Sequence, residues 1–165
     1  MSQVPAQPRW LDEHEQATWR TYLAATKAVG DAIESQLQRD VEIPHTYYEI
    51  LVRLSEAPDR MLRMSQLADL CLASRSRLSH AVTRLEERGW VKRRAFPDDG
   101  RGMLAELTDD GQAALSNAAP GHVNAVREQI FDRLTDDQTI QLREISEAIV
   151  GGPNAFSTLR GPTSD

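Results

Sequence analysis

Apolar residues recur at steps near 3.6 along several stretches of this chain, which is the spacing expected on one face of an α-helix. The longest stretch runs from Trp10 to Gln38, and no proline interrupts it. A helix of this length usually packs against a partner or another long helix. A second helix is predicted after Pro44, which suits a first helical turn; its apolar stripe consists of Tyr47, Ile50, Leu51 and Leu54.

Two helices separated by a tight turn are predicted in the middle of the chain, a short one over 66–70 and a longer one over 75–88. Ser65 and Ser74 stand at positions suited to their N-caps, and Gly89 suits the end of the longer helix. The apolar residues of the longer helix fall on one face, which consists of Leu78, Ala81, Val82 and Leu85.

Three short strands are predicted around these helices. One covers 60–63, and two more, over 90–95 and 103–107, are joined by a loop rich in turn-forming residues. The latter two form a β-hairpin, or wing, over 90–107.

The pattern after the hairpin predicts two further helices, over 109–134 and 136–150. Thr108 is suited to cap the first helix, and the string Thr135-Asp-Asp-Gln138 is a capping box for the second. Within the first helix, Pro120-Gly121 is expected to produce a kink or a break.

The length of 165 residues and the composition indicate one domain, to which a dimerisation element could be appended within the same chain. No apolar run approaches the roughly 18–20 residues of a membrane span, and the start of the chain has no secretion signal. A single cysteine, Cys71, excludes an internal disulfide and a cysteine-based zinc site. We therefore expect a cytoplasmic protein without membrane contact or cofactor, with a disordered segment over 1–9 and a flexible tail over 151–165.

Charge is distributed unevenly along the chain, whose net charge is −6. Residues 60–102 include ten basic and five acidic residues, a local charge of +5, whereas the rest of the chain carries −11. A basic middle between acidic flanks is typical of a nucleic-acid-binding surface. Because a solvated charged face gives the same pattern, charge alone favours DNA only slightly.

The longer central helix begins with polar side chains that could reach a DNA duplex. In a helix-turn-helix the second helix enters the major groove, with its N-terminal residues facing base edges. Arginine can form two hydrogen bonds with guanine, and serine or threonine can bind phosphates or bases. The candidate DNA-binding residues are Ser74, Arg75, Ser76, Arg77, Ser79, His80, Thr83 and Arg84.

At these residues the sequence resembles the MarR family, the multiple-antibiotic-resistance regulators. The matching string begins at Met64 and continues through Gly89-Trp-Val, and the strings Asp99-Gly-Arg-Gly and Leu107-Thr-Asp-Asp-Gly111 follow in the same order as in the family. The resemblance covers about residues 15–150. It implies a mainly α fold with a small β-wing, in which N- and C-terminal helices form a dimerisation domain around a winged helix-turn-helix.

The resemblance implies a transcriptional regulator, most often a repressor, that binds double-stranded DNA. In the family a wing-tip arginine reaches the minor groove, and Arg101 matches that position. Asp99 would orient the Arg101 guanidinium through a paired contact. Many members have a further arginine where this chain has Gly100, so one backbone contact would be missing. Arg94 is expected to meet a phosphate, and Arg77 and Arg101 are the strongest candidates for DNA contact.

A homodimer is also implied by the resemblance. The helices over 10–38, 109–134 and 136–150 would interlock with those of a second copy and leave a DNA-binding lobe over 39–108. Two such lobes would bind a pseudo-palindromic operator with half-sites about one helical turn apart.

Many relatives release DNA when a small, often phenolic or otherwise aromatic anion fills a cleft between the dimer helices and the lobe, so the resemblance implies such a ligand. The simpler interpretation is core packing for Tyr22 and Tyr47, and surface or capping roles for the histidines. The candidate pocket residues are Trp19, Tyr22, His45, Tyr47, Tyr48 and His122.

Other forms of control, and activation in place of repression, stay open. Apolar neighbours favour an inert thiol at Cys71 over a redox sensor. Metal sensing has little support because the histidines show no i, i+4 pair, and protonation of His45 or His122 is a further alternative.

The chain has no phosphate loop, nucleophile elbow or metal-binding helix pair, which argues against an enzyme. A winged helix used only for protein contact would carry acidic or apolar residues on the exposed face of helix 75–88, unlike this chain.

Overall fold

Six α-helices and a three-stranded antiparallel sheet form the part of the chain that the computed structural model describes, residues 8–96 and 99–151 without the side chains at 96 and 99–101. This confirms the predicted mainly α class with a small β-wing. In chain order the elements are α1 (Glu13–Val41), α2 (His45–Ser55), β1 (Met61–Arg63), α3 (Met64–Leu70), α4 (Arg75–Glu87), β2 (Val91–Phe96), β3 (Asp99–Leu107), α5 (Asp109–Gln129) and α6 (Asp136–Ile149).

Helix α1 begins at Glu13, three residues later than predicted, because Asp12 caps it. The Asp12 carboxylate accepts a hydrogen bond from the Glu15 backbone N–H at 2.8 Å, and the Glu15 carboxylate accepts one from the Asp12 N–H at 2.9 Å. This reciprocal pair is a capping box. The helix ends at Val41, where Glu42 adopts a left-handed φ of 54°.

The core lies where α2, α3 and α4 meet the sheet and the C-terminal part of α1. Tyr22 was expected in this core, and that expectation is wrong, because its side chain is 45% exposed. Tyr47 packs partly buried against the core. The largest fully buried side chains are those of Leu37, Ile43, Ile50, Leu51, Leu54, Leu67, Leu78, Val82, Leu85 and Val91.

The helix-turn-helix consists of α3 and α4. Ser65 was predicted to cap the first helix, but α3 begins at Met64 and Arg63 occupies the capping position. The Gln66 side chain accepts a hydrogen bond from the Arg63 N–H at 3.2 Å. This backbone donor, which has no partner within the helix, is thereby satisfied. The turn passes through Leu72, whose φ is 49°, and α4 ends where Gly89 takes a φ of 75°.

The sheet has the strand order β1-β3-β2, so the central strand is the one that returns from the wing. Strand β1 pairs Leu62 with Ala105, and β2 pairs Arg93 with the same alanine from the other side. Strand β3 begins at Asp99, four residues earlier than predicted, because its pairing with β2 continues past a register shift at Ala95/Phe96.

Helix α5 continues through Pro120 to Gln129, so of the predicted kink or break at Pro120-Gly121 the break does not occur, and the helix ends before the predicted residue 134. A proline inside a helix removes one backbone hydrogen bond, but α5 packs lengthwise on α1. The packing is close at Gly121, where an added Cβ would lie 2.7 Å from the side chains of both Gln36 and Asp40. Thr135 then caps α6 through the predicted capping box with Gln138.

No described helix is both long and apolar enough to span a lipid bilayer.

Candidate nucleic-acid interface

Helix α4 has one apolar face against the core and one polar face in solvent. Its buried residues are Leu78, Ala81, Val82 and Leu85, as the sequence pattern predicted. All eight candidate DNA-binding residues at the start and along this helix are exposed, namely Ser74, Arg75, Ser76, Arg77, Ser79, His80, Thr83 and Arg84. The structure therefore places them on one accessible surface, which we call the α4 face.

The N-terminal end of the α4 face combines a helix terminus with two arginines. Ser74 caps the helix by accepting a hydrogen bond from the Arg77 N–H at 3.3 Å. Neither Arg75 nor Arg77 forms an ion pair with any described residue. Because the helix N-terminus and both guanidiniums attract oxyanions and hydrogen-bond acceptors, this end suits a phosphate or a base edge.

Further along the α4 face, two candidates already have partners within the chain. The Thr83 hydroxyl donates to the Ser79 carbonyl at 3.0 Å and accepts from Arg93 at 3.0 Å. Arg84 forms an ion pair with Glu87 at 2.8 Å. A DNA contact by Arg84 would therefore compete with an intrahelical pair.

Arg93, on β2, joins the wing to α4. Its backbone N–H donates to Glu86 at 2.9 Å, and its guanidinium donates to the other Glu86 oxygen at 2.6 Å. The same guanidinium reaches the Ser79 carbonyl at 2.7 Å. This role was missed in the sequence analysis, although strand alternation contained a signal: Arg93 shares a face with buried Val91, so it points toward the helix and not into solvent.

Arg94, predicted to meet a phosphate, forms an ion pair with Glu106 on the neighbouring strand. Its side chain is 59% exposed, so it lies at the surface of the wing with its charge partly neutralised. At the wing tip, Asp99 pairs with Phe96 through the backbone. The side chains of Asp99 and Arg101 lie outside the described residues, so their roles stay predictions.

The end of α4 is tied to the elements on both sides of it. The Arg88 guanidinium donates to the Glu42 carbonyl at 3.0 Å and lies 5.0 Å from the centre of the Trp90 ring. The Thr108 hydroxyl donates to the Gly89 carbonyl at 2.7 Å. These contacts fix α4 relative to the α1–α2 junction and to the start of α5.

Three of the six candidate pocket residues lie together. The His122 ring is 5.9 Å from that of His45 and 4.3 Å from that of Tyr48, measured between centroids. Trp19 and Tyr22, which both belong to α1, stack on each other with their ring centroids 6.1 Å apart. Tyr22 lies 14 residues, or about 21 Å along the helix axis, before Gln36, whose side chain packs against Gly121, the neighbour of His122 in the chain. Within one chain the six residues therefore do not line one pocket.

The His122 imidazole is partly buried, and its Nδ1 is buried without a hydrogen-bond partner among the described residues. Burial, and secondarily the charge of His45, lower the pKa of His122 from its ordinary value. The neutral ring is therefore favoured at this position.

The remaining sensing alternatives are oxidation of Cys71 and binding of a metal ion. Cys71 is buried, and burial together with Glu49 raises the pKa of its thiol to about 12. A thiol with so high a pKa forms little of the reactive thiolate. Among the described residues, no group of three or more histidine, cysteine, aspartate or glutamate side chains is placed to hold a metal ion.

The fold and the helix-turn-helix match known proteins. A family model described as the MarR family matches residues 42–102. The chain is 50% identical to Sco3205, a MarR family transcriptional regulator from Streptomyces coelicolor solved in complex with DNA; the match covers 88% of this chain and 91% of that one, with a TM-score of 0.85. It is 37% identical to AbsC, a MarR family transcriptional regulator from the same organism, over 87% of this chain and 96% of that one, with a TM-score of 0.82.

Curated relatives match over a shorter length. The transcriptional repressor MprA of Escherichia coli is 26% identical over 66% of this chain, which spans 61% of the length of that repressor. The transcriptional repressor YetL of Bacillus subtilis is 30% identical over 62% of this chain and 63% of its own length. Since the matches to Sco3205 and AbsC extend over nearly the whole of both chains, this protein belongs to the MarR family.

Proposed function

We propose that this protein is a DNA-binding regulator of transcription that inserts α4 into the major groove of a duplex. The observation that carries the proposal is the α4 face, a continuous exposed surface of arginine, serine, threonine and histidine above a fully apolar base. An exposed helix with this composition fits the groove geometry of a helix-turn-helix. The complex of Sco3205 with DNA supports the same interpretation.

Within this proposal the residues of the α4 face make two kinds of contact with DNA. Arg75 and Arg77, without ion-pair partners among the described residues, contact base edges, and the hydroxyls of Ser74 and Ser76 contact phosphates. Arg101, oriented by Asp99, contacts the minor groove from the wing, as the family resemblance implies.

We further propose that two copies form a homodimer through α1, α5 and α6. None of the residues 136–149 that form α6 is buried in the single chain, and Ile145 and Ile149 are 57% and 60% exposed. The first half of α1 likewise exposes Trp19, Tyr22 and Leu23. Apolar faces of this extent usually mark an interface, and a two-fold dimer would bury both sets at once.

Repression is the more favoured outcome of DNA binding, because MprA and YetL are both named repressors. A small aromatic effector stays a prediction from the resemblance. Within one chain only His45, Tyr48 and His122 gather in a way that could support it.

Selection from a pool of random duplexes tests this function. We expect purified protein to enrich sequences with two inverted half-sites about 10 base pairs apart, centre to centre. Gel-shift titration of the enriched duplex should then show one complex containing two protein chains. Failure to bind any duplex at low salt would contradict the proposal, and enrichment of a single unrepeated site would contradict the homodimer.

A further inference from the structure

Helix α5 changes its packing at Pro120. Its buried residues, Gly111, Leu115 and Ala118, all precede the proline. The part that follows the proline lies along α1, which Gly121 approaches closely. Because proline has no backbone N–H, α5 lacks one of its hydrogen bonds at this point. A helix bends most readily at such a position, so we expect the first part of α5, with the DNA-binding lobe against which it packs, to turn relative to α1 about Pro120.

Two imidazole rings meet across this boundary. His45, in the first turn of α2, stacks on His122, which follows the proline closely; their ring centroids are 5.9 Å apart and their planes are inclined by 18°. The ring of Tyr48, a buried residue of α2, lies 4.3 Å from that of His122. Since α2 packs on α3 and α4, the three rings connect the second part of α5 to the helix-turn-helix. We call His45, Tyr48 and His122 the histidine joint.

Helix α1 presents two carboxylates near the histidine joint. Glu34 accepts a hydrogen bond from the backbone N–H of His45 at 2.9 Å and so caps the start of α2. Asp40 lies next to the part of the chain just before His122, and it accepts a hydrogen bond from the Gln36 side chain at 2.8 Å. Both carboxylates are thus engaged elsewhere. The buried Nδ1 of His122 has no hydrogen-bond partner among the described residues.

The other helices bring one cation and one phenol to the histidine joint. Arg127, on α5, lines the same surface pocket as His122, and its guanidinium is paired with Asp132 at 2.7 Å. The hydroxyl of Tyr48 stays neutral, because burial raises its pKa. Neither group can compensate a positive charge on His122.

Protonation therefore destabilises the histidine joint. If both histidines carried a proton, two positive charges would face each other across the stack, in partly buried surroundings that screen them weakly. Burial, and secondarily the charge of His45, lower the pKa of His122 while the rings are stacked. When the rings separate, water reaches His122 and its pKa returns toward the ordinary value of about 6.5. Acidification below this pH therefore favours separation of the rings.

We propose that the histidine joint is a pH-sensitive switch, which holds the DNA-binding lobe in one orientation when it is neutral and releases the lobe when it is protonated. This inference rests on the proposed function and adds a form of regulation to it. A dimer contacts two half-sites at once only if its lobes keep the matching separation. Release therefore weakens binding to a duplex with two half-sites, whereas binding to a single half-site, which needs one lobe, is unaffected.

The test measures the affinity of the full-length protein, at constant ionic strength, for the selected duplex and for a duplex with one half-site. When the pH is lowered from about 8 to about 5.5, the wild type should lose about fivefold or more of its affinity for the selected duplex and none for the single half-site. His122→Gln, which keeps a polar side chain but cannot be protonated, should bind the selected duplex equally at both pH values. His14→Gln, which removes an exposed histidine of α1, should behave like the wild type.

Pro120→Ala tests the hinge separately. Alanine restores the missing backbone N–H and stiffens α5, so this variant should lose less affinity for the selected duplex on acidification than the wild type does. Analytical ultracentrifugation should show wild-type dimers at both pH values, because the switch reorients the lobes and does not separate the two copies.

Several results would overturn the switch. One is an acid response that is absent from the wild type, equal in His122→Gln, or unchanged in Pro120→Ala. An equal acid loss on both duplexes would place the effect on the α4 face, where His80 lies. Monomers at the lower pH would attribute the loss to dissociation of the dimer. If His122→Gln does not fold, His45→Gln, which alters an exposed residue, replaces it with the same expectation. Absence of any duplex binding by the wild type at the higher pH would instead refute the proposed function.

Discussion

Arg93 on the first wing strand and Glu86 in the last turns of α4 are joined by two hydrogen bonds, one from the backbone at 2.9 Å and one from the guanidinium at 2.6 Å. Both side chains are less than one-third exposed. Since the wing hairpin and α4 would enter different grooves, this pair sets the relative orientation of the two DNA-contacting elements before DNA is present. A preorganised surface loses less conformational entropy on binding.

The Arg93–Glu86 pair should contribute to stability beyond an ordinary surface ion pair. In a double-mutant cycle with Arg93→Met and Glu86→Gln, measured by urea denaturation, we expect a coupling free energy of about 0.5–3 kcal/mol. The reason is that both side chains are partly shielded from water, so solvent screens their attraction less than that of a surface pair.

The exposed pair Arg84–Glu87 provides the matched control on the same helix, since its side chains are 66% and 55% exposed. Its cycle should give a smaller coupling, because solvent screens exposed pairs. Equal coupling in the two cycles would refute a special role for Arg93.

Gly111 should be sensitive to the smallest possible substitution. A Cβ at this position would lie 2.1 Å from the Trp90 carbonyl oxygen and 2.7 Å from the Leu107 side chain. Gly111→Ala must therefore move backbone atoms apart where α5 meets the end of α4. We expect it to lower the free energy of unfolding by about 1–3 kcal/mol, measured by urea denaturation.

Gly30→Ala is the control for this substitution. A Cβ on Gly30 meets nothing within 4 Å, so alanine in this helix should leave the stability unchanged or raise it by up to about 1 kcal/mol. A Gly111→Ala variant as stable as Gly30→Ala would show that the close approach at Trp90 does not constrain the fold.

Stability should depend on pH through His122. Its pKa is lowered in the folded chain, so as pH falls below the ordinary histidine value of about 6.5 the unfolded chain binds a proton that the folded chain resists. The contribution of the buried neutral ring is therefore present above this pH and is lost on acidification. Between pH 7.5 and 5.5, the wild type should lose more unfolding free energy than His122→Gln.

The exposed His14 on α1 serves as the control for this pH series. His14→Gln should retain the wild-type loss of stability on acidification, since its ring lies in solvent. An identical pH dependence in wild type and His122→Gln would exclude the buried imidazole as its source.

The apolar face of α6 should hold the dimer together. Ile145→Glu places a charge on a residue that is 57% exposed in the single chain, so the isolated fold should tolerate it. The dimer interface should not, because it would bury that charge. Analytical ultracentrifugation should show monomers for Ile145→Glu and dimers for Glu144→Gln. Dimers in both would place the interface elsewhere.

Local sequence signals predicted much of the secondary structure and the exposed face of α4. Ser74, Thr108 and Thr135 all cap helices as expected, because an N-cap depends on a hydrogen bond within a few residues. The face that α4 turns toward the core was predicted from apolar residues spaced about 3.6 apart. This spacing, like an N-cap, is a signal within a short stretch of sequence.

Features that depend on long-range packing could not be predicted in this way. Helix α5 passes through Pro120 because it lies along α1, where Gly121 permits close contact with Gln36. Tyr22 follows a helical apolar pattern yet is exposed in the single chain, since the pattern does not reveal whether a face packs on the same chain or on another. His45 and His122 lie together although they belong to α2 and α5, and the spacing of residues in the sequence does not predict this contact.

The central claim, that the α4 face recognises specific bases, is tested most directly by the affinity of Arg77→Ala for the selected and scrambled duplexes at one salt concentration. We predict a loss of about 1–3 kcal/mol on the selected duplex, with relaxed preference at one base pair per half-site. Scrambled duplex should be bound with a smaller loss. An equal loss on both duplexes, or an unchanged affinity for the selected one, would contradict base recognition by α4.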